Sequence, residues 1–363
     1  MLDINIHSST APKRLPFADS NVDLGFGNLF TDHMFTSRYS EEKGWSEAQI
    51  SAYGTLPLEP AASVLHYGQS LFEGLKAFKR QDGSIWLFRP EFNWRRMCDG
   101  ANRLCLPRPT REIFLGALKT LLELDKRWVP PMKGSSLYIR PTLIGSEGFL
   151  GLRPSREALF FTILSPVSSY YAEGNNPIKI WLETKDTRAS EGGLGAVKAG
   201  ANYAASLRAS VLAKQKGYSQ VLWLDNKHEV IEEVGTMNVF FVFKNEIVSP
   251  ALNGNILPGC VRDSVLKILR STESPFIQTV VERRLTVAEL RDRYKSGDLL
   301  EVFGTGTAAV ISSVGQIDDE SDSMAISKVQ GPVSSWLLET LQGIQWGTVE
   351  DNHDWMVNLE DLA

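Results

Sequence analysis

The sequence predicts a mixed α/β protein of two domains, on three observations. Short apolar runs bounded by breakers, the mark of strands, are interspersed with segments whose apolar residues recur at helical spacing. The two kinds do not alternate regularly enough for a barrel of repeated βα units. Residues 168–177, Ser-Ser-Tyr-Tyr-Ala-Glu-Gly-Asn-Asn-Pro, are polar and rich in turn formers, and they make the best domain boundary in the chain.

In chain order, residues 1 to about 30 read as an irregular arm. A short strand is expected at 84–88, and Pro90 opens a helix that runs to 105 before Pro107 stops it. From 111 to 128, Ile113, Phe114, Ala117, Leu118, Leu121 and Leu122 fall at helical spacing, so one face of that helix is buried. Residues 136–145 and 158–166 read as core strands. Beyond the boundary come a strand at 178–183, a helix at 202–216 ended by Gly217, and strands at 220–225 and 237–243. Helices follow at 260–270 and 286–294, the second opening on a Thr-x-x-Glu capping box from Thr286 to Glu289. A strand at 299–303 leads into Gly304-Thr305-Gly306-Thr307-Ala308-Ala309.

The 363 residues are enough for two domains and a large core, and 43% hydrophobic with 22% charged residues is ordinary for a globular protein. A net charge of −5 argues against a nucleic-acid or anionic-membrane footprint. Cys98, Cys105 and Cys260 are too few for a disulfide scaffold, so a reducing compartment is expected. The first twenty residues hold no apolar run, and no stretch approaches the roughly 20 apolar residues of a membrane span. The expectation is a soluble, cytoplasmic protein, with a mitochondrial form left open.

Chemistry concentrates in residues 191–203, Glu-Gly-Gly-Leu-Gly-Ala-Val-Lys-Ala-Gly-Ala-Asn-Tyr. Lys198 stands among residues with almost no side chain, so backbone and ligand can approach it closely. An amine kept off the solvated surface is more easily left unprotonated, and that form makes Schiff bases. On these residues alone a flexible surface loop explains the stretch equally well. Gly304-x-Gly306-x-x-Ala309 after a strand matches a dinucleotide fingerprint, a backbone cradle for an anion, or a plain turn. Pro258-Gly259-Cys260-Val261-Arg262 is a second anion candidate, because glycine leads into a helix whose first N–H groups lack helical partners. Glu232 and Glu233 precede an apolar strand, either as a solvated turn or as a carboxylate able to pair with a cationic ring nitrogen. The five histidines show no metal-ligand spacing, and there is no Gly-x-Ser-x-Gly elbow.

Glu233-x-Gly235-x-x-Asn238-Val239-Phe240 closely resembles the signature of class IV pyridoxal-phosphate aminotransferases. Leu71-Phe72-Glu73-Gly74-Leu75-Lys76-Ala77-Phe78, Leu87-Phe88-Arg89-Pro90, Tyr138-Ile139-Arg140-Pro141 and Gly304 to Ala309 narrow the resemblance to branched-chain amino acid aminotransferases. It runs from about Gly27 to about Trp355. It implies fold type IV, like D-amino acid aminotransferase: a small N-terminal α/β domain over 1–170, a linker over 171–180, and a larger C-terminal domain over 181–363, with pyridoxal 5'-phosphate between them.

By resemblance, Lys198 would form the internal aldimine, Glu233 would pair with the pyridine nitrogen, and Tyr203 would hydrogen-bond the ring hydroxyl. Leu257 would pack on the ring, and Thr236 would be a further cofactor contact. Arg96, the N–H groups of Cys260 and Val261, and Thr307 would hold the phosphate. The substrate carboxylate would meet N–H groups at Thr307 and Ala308. Phe72, Tyr138 and Tyr170 would line the apolar pocket, Arg140 would accept the distal carboxylate of glutamate, and Tyr67 would come from the partner subunit of a homodimer. The implied reaction moves the amino group of L-leucine, L-isoleucine or L-valine to 2-oxoglutarate. An apolar pocket separates such substrates by only about 1–3 kcal/mol per methylene, so overlapping specificity is expected.

Leu194 and Ala201 depart from the family near the lysine, where threonine and glycine are common, and Ser249 and Cys260 depart conservatively. Ala309 and Ser312 stand where mammalian forms carry a redox Cys-x-x-Cys. Two alternatives remain at this stage: another fold type IV enzyme acting on D-amino acids or amines, or as a lyase, and a nicotinamide-dependent oxidoreductase built on Gly304 to Ala309.

Overall fold

The computed structural model describes residues 3–17, 23–168 and 176–362. By residue contacts the chain forms two compact units, one of Met1–Tyr170, Val197–Ala201 and Gly343–Ala363, the other of Tyr171–Ala196 and Asn202–Gln342. Among the described residues no helix is long and apolar enough to cross a membrane.

The first unit is a mixed sheet backed by helices. Its elements are β1 (Asn5–Ile6), β2 (His33–Ser40), β3 (Gly44–Ala52), α1 (Ser63–Tyr67), β4 (Ser70–Phe72), β5 (Leu75–Lys79), β6 (Ile85–Phe88), α2 (Pro90–Arg103), α3 (Ala117–Leu124), β7 (Ser136–Gly145) and β8 (Glu157–Val167). The strands lie in the order β1-β3-β2-β8-β7-β5-β6, the short strand Met356–Asn358 closes the far edge, and β4 pairs with β7. The β7–β8 ladder, from Ser136 opposite Val167 to Gly145 opposite Ala158, is its backbone. Strand period puts Leu137, Ile139 and Leu143 into the core with Phe35, Phe114 and Phe160, and leaves Tyr138 and Arg140 on the other face. Each such buried side chain contributes about 1.5–3 kcal/mol.

The second unit contains β9 (Ile178–Leu182), most of α4 (Gly200–Gln215), β10 (Gln220–Leu224), β11 (Ile231–Val234), β12 (Asn238–Phe243), β13 (Glu246–Ser249), α5 (Cys260–Arg270), β14 (Thr279–Glu282), α6 (Val287–Lys295), β15 (Leu299–Gly306), β16 (Val310–Asp318), β17 (Ser323–Ala325) and most of α7 (Pro332–Trp346). Its sheet runs β11-β10-β9-β16-β15-β12-β13-β14, with β17 on β16. Ala209 and Ala213 of α4 pack on Val221 and Trp223, while Leu222 and Leu224 enter the opposite core with Leu290 of α6.

Several expectations change on contact with the fold. Residues 5–6 of the arm pair with β3 as a parallel edge strand. The helix expected over 111–128 is broken into a π-turn (Glu112–Gly116), α3 and a 3-10 turn (Lys126–Trp128). The Thr286 hydroxyl accepts the Glu289 N–H at 3.1 Å, but the Glu289 carboxylate turns to Arg283 at 2.6 Å, so only half the capping box forms. Gly304 to Ala309 spans the hairpin between β15 and β16, with Gly306 opposite Val310. A dinucleotide fingerprint requires a strand running into a helix, so that reading is corrected to a turn.

Candidate active site

In the first unit, Lys198 lies beside β4. The Phe72 N–H donates to the Lys198 carbonyl at 3.2 Å, and Leu71 and Ala199 form an antiparallel bridge. Small residues permit this. Ala199 is fully buried, and a side chain at Gly100 of α2 would press on Leu71 at 2.7 Å and Val197 at 3.2 Å. Lys198 itself is half-buried, its Nζ 4.9 Å from the centre of the Phe72 ring. The Arg140 guanidinium sits 4.6 Å from the same ring and donates to the Tyr138 hydroxyl at 3.0 Å. Gly74 makes room for that hydroxyl, because a Cβ there would overlap it. Phe26 meets Tyr138 edge-on at 4.9 Å.

Beneath this cluster, fully buried Glu73 accepts from Arg96 Nε and Nη2, both at 2.8 Å, and from Asn93 at 2.7 Å. Burial alone raises the Glu73 carboxyl, but Arg96 chiefly, with Lys198 and Asn93, outweighs it and holds the group below the usual carboxylate range. Two of the Arg96 donors are thus committed to Glu73. Tyr67 is exposed at the end of α1, its hydroxyl bonded to the Leu150 carbonyl. Tyr170 lies outside the described residues.

In the second unit, the signature Glu233-x-Gly235-x-x-Asn238 is a hairpin. Val234 and Met237 exchange both backbone hydrogen bonds at 2.9 Å, and Gly235 at φ +57° supplies the left-handed turn residue. The turn brings Asn238 Nδ2 to 3.2 Å from Glu233 Oε1, which also accepts the Leu257 N–H at 2.8 Å. Glu233 is only 3% exposed, so the solvated-turn alternative for it falls. Arg188 Nε stands 3.0 Å from Glu233 Oε2. Asn238 Nδ2 also donates to the Leu257 carbonyl at 2.8 Å, and Asn238 packs on Gly259, where a Cβ would overlap its amide oxygen.

Gly259 caps α5 in extended backbone with no side-chain cap, so the first turn, Cys260 and Val261, presents N–H groups that the helix itself does not use. Both side chains are buried. Tyr203, on α4, is half-buried. The glycine run is pinned to the 253–257 loop: Ala196 N–H donates to Gly254 at 3.0 Å, and a Cβ on Gly195 would collide with the Asn255 backbone. Asn202 Nδ2 closes the run by donating to the Leu194 carbonyl at 2.7 Å. Thr307 and Ala308 form the half-buried turn after β15, and Thr236 is exposed at the tip of its hairpin.

Lys198, Phe72, Tyr138, Arg140 and Arg96 therefore gather in the first unit, and Glu233, Leu257, Cys260 and Val261 are linked in the second. Sequence reasoning missed Arg188, since nothing about one arginine in Thr187-Arg188-Ala189 marks it before folding sets it against Glu233.

The model of the family "Amino-transferase class IV" matches residues 70–317. Similar relatives include "Branched-chain-amino-acid aminotransferase 2" of Bacillus subtilis, 45% identical over 96% of this chain and 95% of its own length. "Branched-chain-amino-acid aminotransferase" of Mycolicibacterium smegmatis is 42% identical over 99% and 98%. Among solved structures, the branched-chain amino acid aminotransferase from Thermobaculum terrenum in its PLP form superposes with a TM-score of 0.72 at 20% identity, covering 90% of this chain and 98% of that one. The branched-chain amino acid aminotransferase from Escherichia coli gives 0.71 at 22% identity, covering 90% and 99%, and both likenesses speak for the fold. The chain belongs to the class IV aminotransferase family.

Proposed function

We propose that this class IV aminotransferase uses pyridoxal 5'-phosphate to pass the amino group of L-leucine, L-isoleucine or L-valine reversibly to 2-oxoglutarate. The supporting observation is the buried, hydrogen-bonded Glu233 carboxylate on the signature hairpin, in a chain that matches branched-chain aminotransferases almost end to end.

The residues present fit that cofactor. Glu233 is a buried acid suited to a protonated ring nitrogen, the first turn of α5 is uncapped by side chains, and Lys198 offers an amine among small residues. When bound, pyridoxal 5'-phosphate supplies an aldehyde to take up the amino group and a ring that draws electrons from the bond being broken. Lys198 Nζ holds the cofactor, then acts as the base that takes the proton from the substrate Cα. Glu233 pairs with the ring nitrogen, Tyr203 with the ring hydroxyl, and Leu257 packs on the ring, with Thr236 a further contact from the hairpin tip. Arg96, oriented by Glu73, joins the N–H groups of Cys260 and Val261 and the Thr307 side chain on the phosphate. Thr307 and Ala308 N–H groups receive the substrate carboxylate, Phe72, Tyr138 and Tyr170 line the side-chain pocket, and Arg140 receives the distal carboxylate of glutamate.

The working form is a cytoplasmic homodimer in which Tyr67 serves the partner's site. The Tyr67 hydroxyl bonds the Leu150 carbonyl, and Leu150 and Leu152, 61% and 83% exposed, are apolar side chains that a second copy would cover.

The test is the visible absorption of the purified, cofactor-loaded protein. L-leucine is expected to bleach the yellow band and 2-oxoglutarate to restore it. A yellow protein indifferent to L-leucine but bleached by a D-amino acid or an amine would point to another fold type IV activity. A protein that takes up no pyridoxal 5'-phosphate overturns the proposal.

A further inference from the structure

Arg188 lies in the segment after β9 and is 9% exposed. Its Nε stands 3.0 Å from Glu233 Oε2, in a contact close enough for an ion pair but not aligned as a hydrogen bond. Its Nη2 donates to the Gly195 carbonyl at 3.3 Å and to the Asn255 carbonyl. Those carbonyls belong to the glycine run before Lys198 and to the loop whose Leu257 N–H donates to Glu233 Oε1. One guanidinium thus touches the carboxylate and ties the loop that donates to it to the glycine run.

We infer that Arg188 is a positioning residue for Glu233, holding the buried carboxylate as an oriented anion by its charge and by tying the Gly195 and Asn255 carbonyls. The role in catalysis rests on the aminotransferase reading of Glu233 given above. A buried carboxylate that loses its cation either takes up a proton or destabilises the fold. Asn238 and Leu257 supply hydrogen bonds to Glu233 but no charge. The adjacent Glu232 shows the contrast. It is 1% exposed, its Oε1 accepts from Asn255 Nδ2 at 2.9 Å, and its Oε2 has no hydrogen-bond partner. Burial pushes the Glu232 carboxyl up, against weaker opposing contributions from Asn255, Asn253 and Arg188, while Asp225 adds to the rise. Neighbouring carboxylates whose surroundings differ in this way take different roles. Arg188 makes Glu233 the ionised one.

The experiment compares wild type with Arg188→Gln, Arg188→Lys, Glu233→Gln and the double variant Arg188→Gln/Glu233→Gln. Gln keeps amide donors for the two carbonyls but carries no charge, and Lys keeps the charge. Thermal denaturation of the cofactor-free proteins is followed from pH 5 to 8.5. Without Arg188 the buried Glu233 binds its proton more tightly in the folded state than in the unfolded chain, so stability falls as pH rises. Arg188→Gln is therefore expected to lose more in Tm at pH 8 than at pH 5.5, Arg188→Lys to recover most of the difference, and the double variant to lose the pH dependence. With pyridoxal 5'-phosphate added, the pH midpoint of the visible band is expected to move by at least one unit in Arg188→Gln and to return toward wild type in Arg188→Lys. A loss independent of pH that persists unchanged in the double variant would overturn the inference and leave Arg188 a packing residue. Should wild type take up no pyridoxal 5'-phosphate, the aminotransferase reading fails, while the cofactor-free melts still decide whether Arg188 charges Glu233.

Discussion

The backbone N–H of Phe72 donates to the carbonyl of Lys198 at 3.2 Å, so the lysine is held against β4 as part of a sheet edge rather than on a free loop. The same residue's ring lies 4.9 Å from the Lys198 amine. Phe72 therefore fixes the lysine at both ends, by a main-chain bond and by an aromatic face.

Lys198→Ala should abolish transamination, by at least about a thousandfold in kcat, because the nucleophile and the base are one group. The backbone bond to Phe72 does not need the side chain, so Tm in the cofactor-free protein should stay within a few degrees. Substantial turnover in this variant, measured as glutamate formation from L-leucine and 2-oxoglutarate, would refute the assignment.

Glu233→Gln should keep the Leu257 and Asn238 contacts while removing the charge opposite the ring nitrogen. Turnover should fall by about a hundredfold or more, on the scale of losing a few kcal/mol of electrostatic stabilisation. Steady-state kcat checks this, and an unchanged value would mean that another carboxylate does the work.

Glu73→Gln should destabilise the protein by about 3–5 kcal/mol at pH 7, since it leaves the buried Arg96 without its anion. The folded carboxyl lies below its ordinary value, so its stabilisation is present above the unfolded value of 4.5 and is lost as pH falls through the lower folded value. The Tm gap between variant and wild type should accordingly be widest near neutrality and close below pH 4.5. A gap that does not change with pH would mean that the pair contributes by packing alone.

Gly195→Ala should cost about 1–3 kcal/mol or more, because its Cβ meets the backbone of Asn255 rather than a side chain able to swing away. Displacing that loop also moves Leu257, so the Kd for pyridoxal 5'-phosphate should rise by equilibrium titration. Wild-type stability with wild-type affinity would show that the loops are more compliant than their contact implies.

Leu152→Asp places a charge on an exposed apolar side chain two residues after Leu150, whose carbonyl bonds Tyr67. If the proposed dimer uses this surface, light scattering should report a mass near the 40.4 kDa of one chain for the variant and twice that for wild type. An unchanged dimer would move the interface elsewhere, to the exposed Leu207, Val211 and Leu212 of α4 for example.

Much was legible in the sequence because it is local. Apolar runs bounded by breakers marked β7 and β8 nearly to the residue, and Pro90 set the start of α2, since proline is tolerated there and not inside a helix. The spacing of Glu233, Gly235 and Asn238 is a local rule too: a glycine in the left-handed region closes a two-residue turn, and the turn sets the amide beside the acid. Strands β2, β3 and β16 escaped notice although they run to eight or nine residues, because polar residues interrupt their apolar pattern and only pairing in the sheet defines them. The π-turn at Glu112–Gly116 was hidden likewise, as its apolar spacing is also that of an α-helix.

By itself the sequence determined the signature motif, the mixed α/β class and the family, because each depends on residue type at fixed short spacing. Tertiary structure alone decided that Gly304 to Ala309 turns back into β16, that Arg96 is held by Glu73, and that Arg188 stands against Glu233. The last two are meetings of residues far apart in the chain. A buried charge chooses its partner by proximity after folding, and desolvation then gives that proximity its energy.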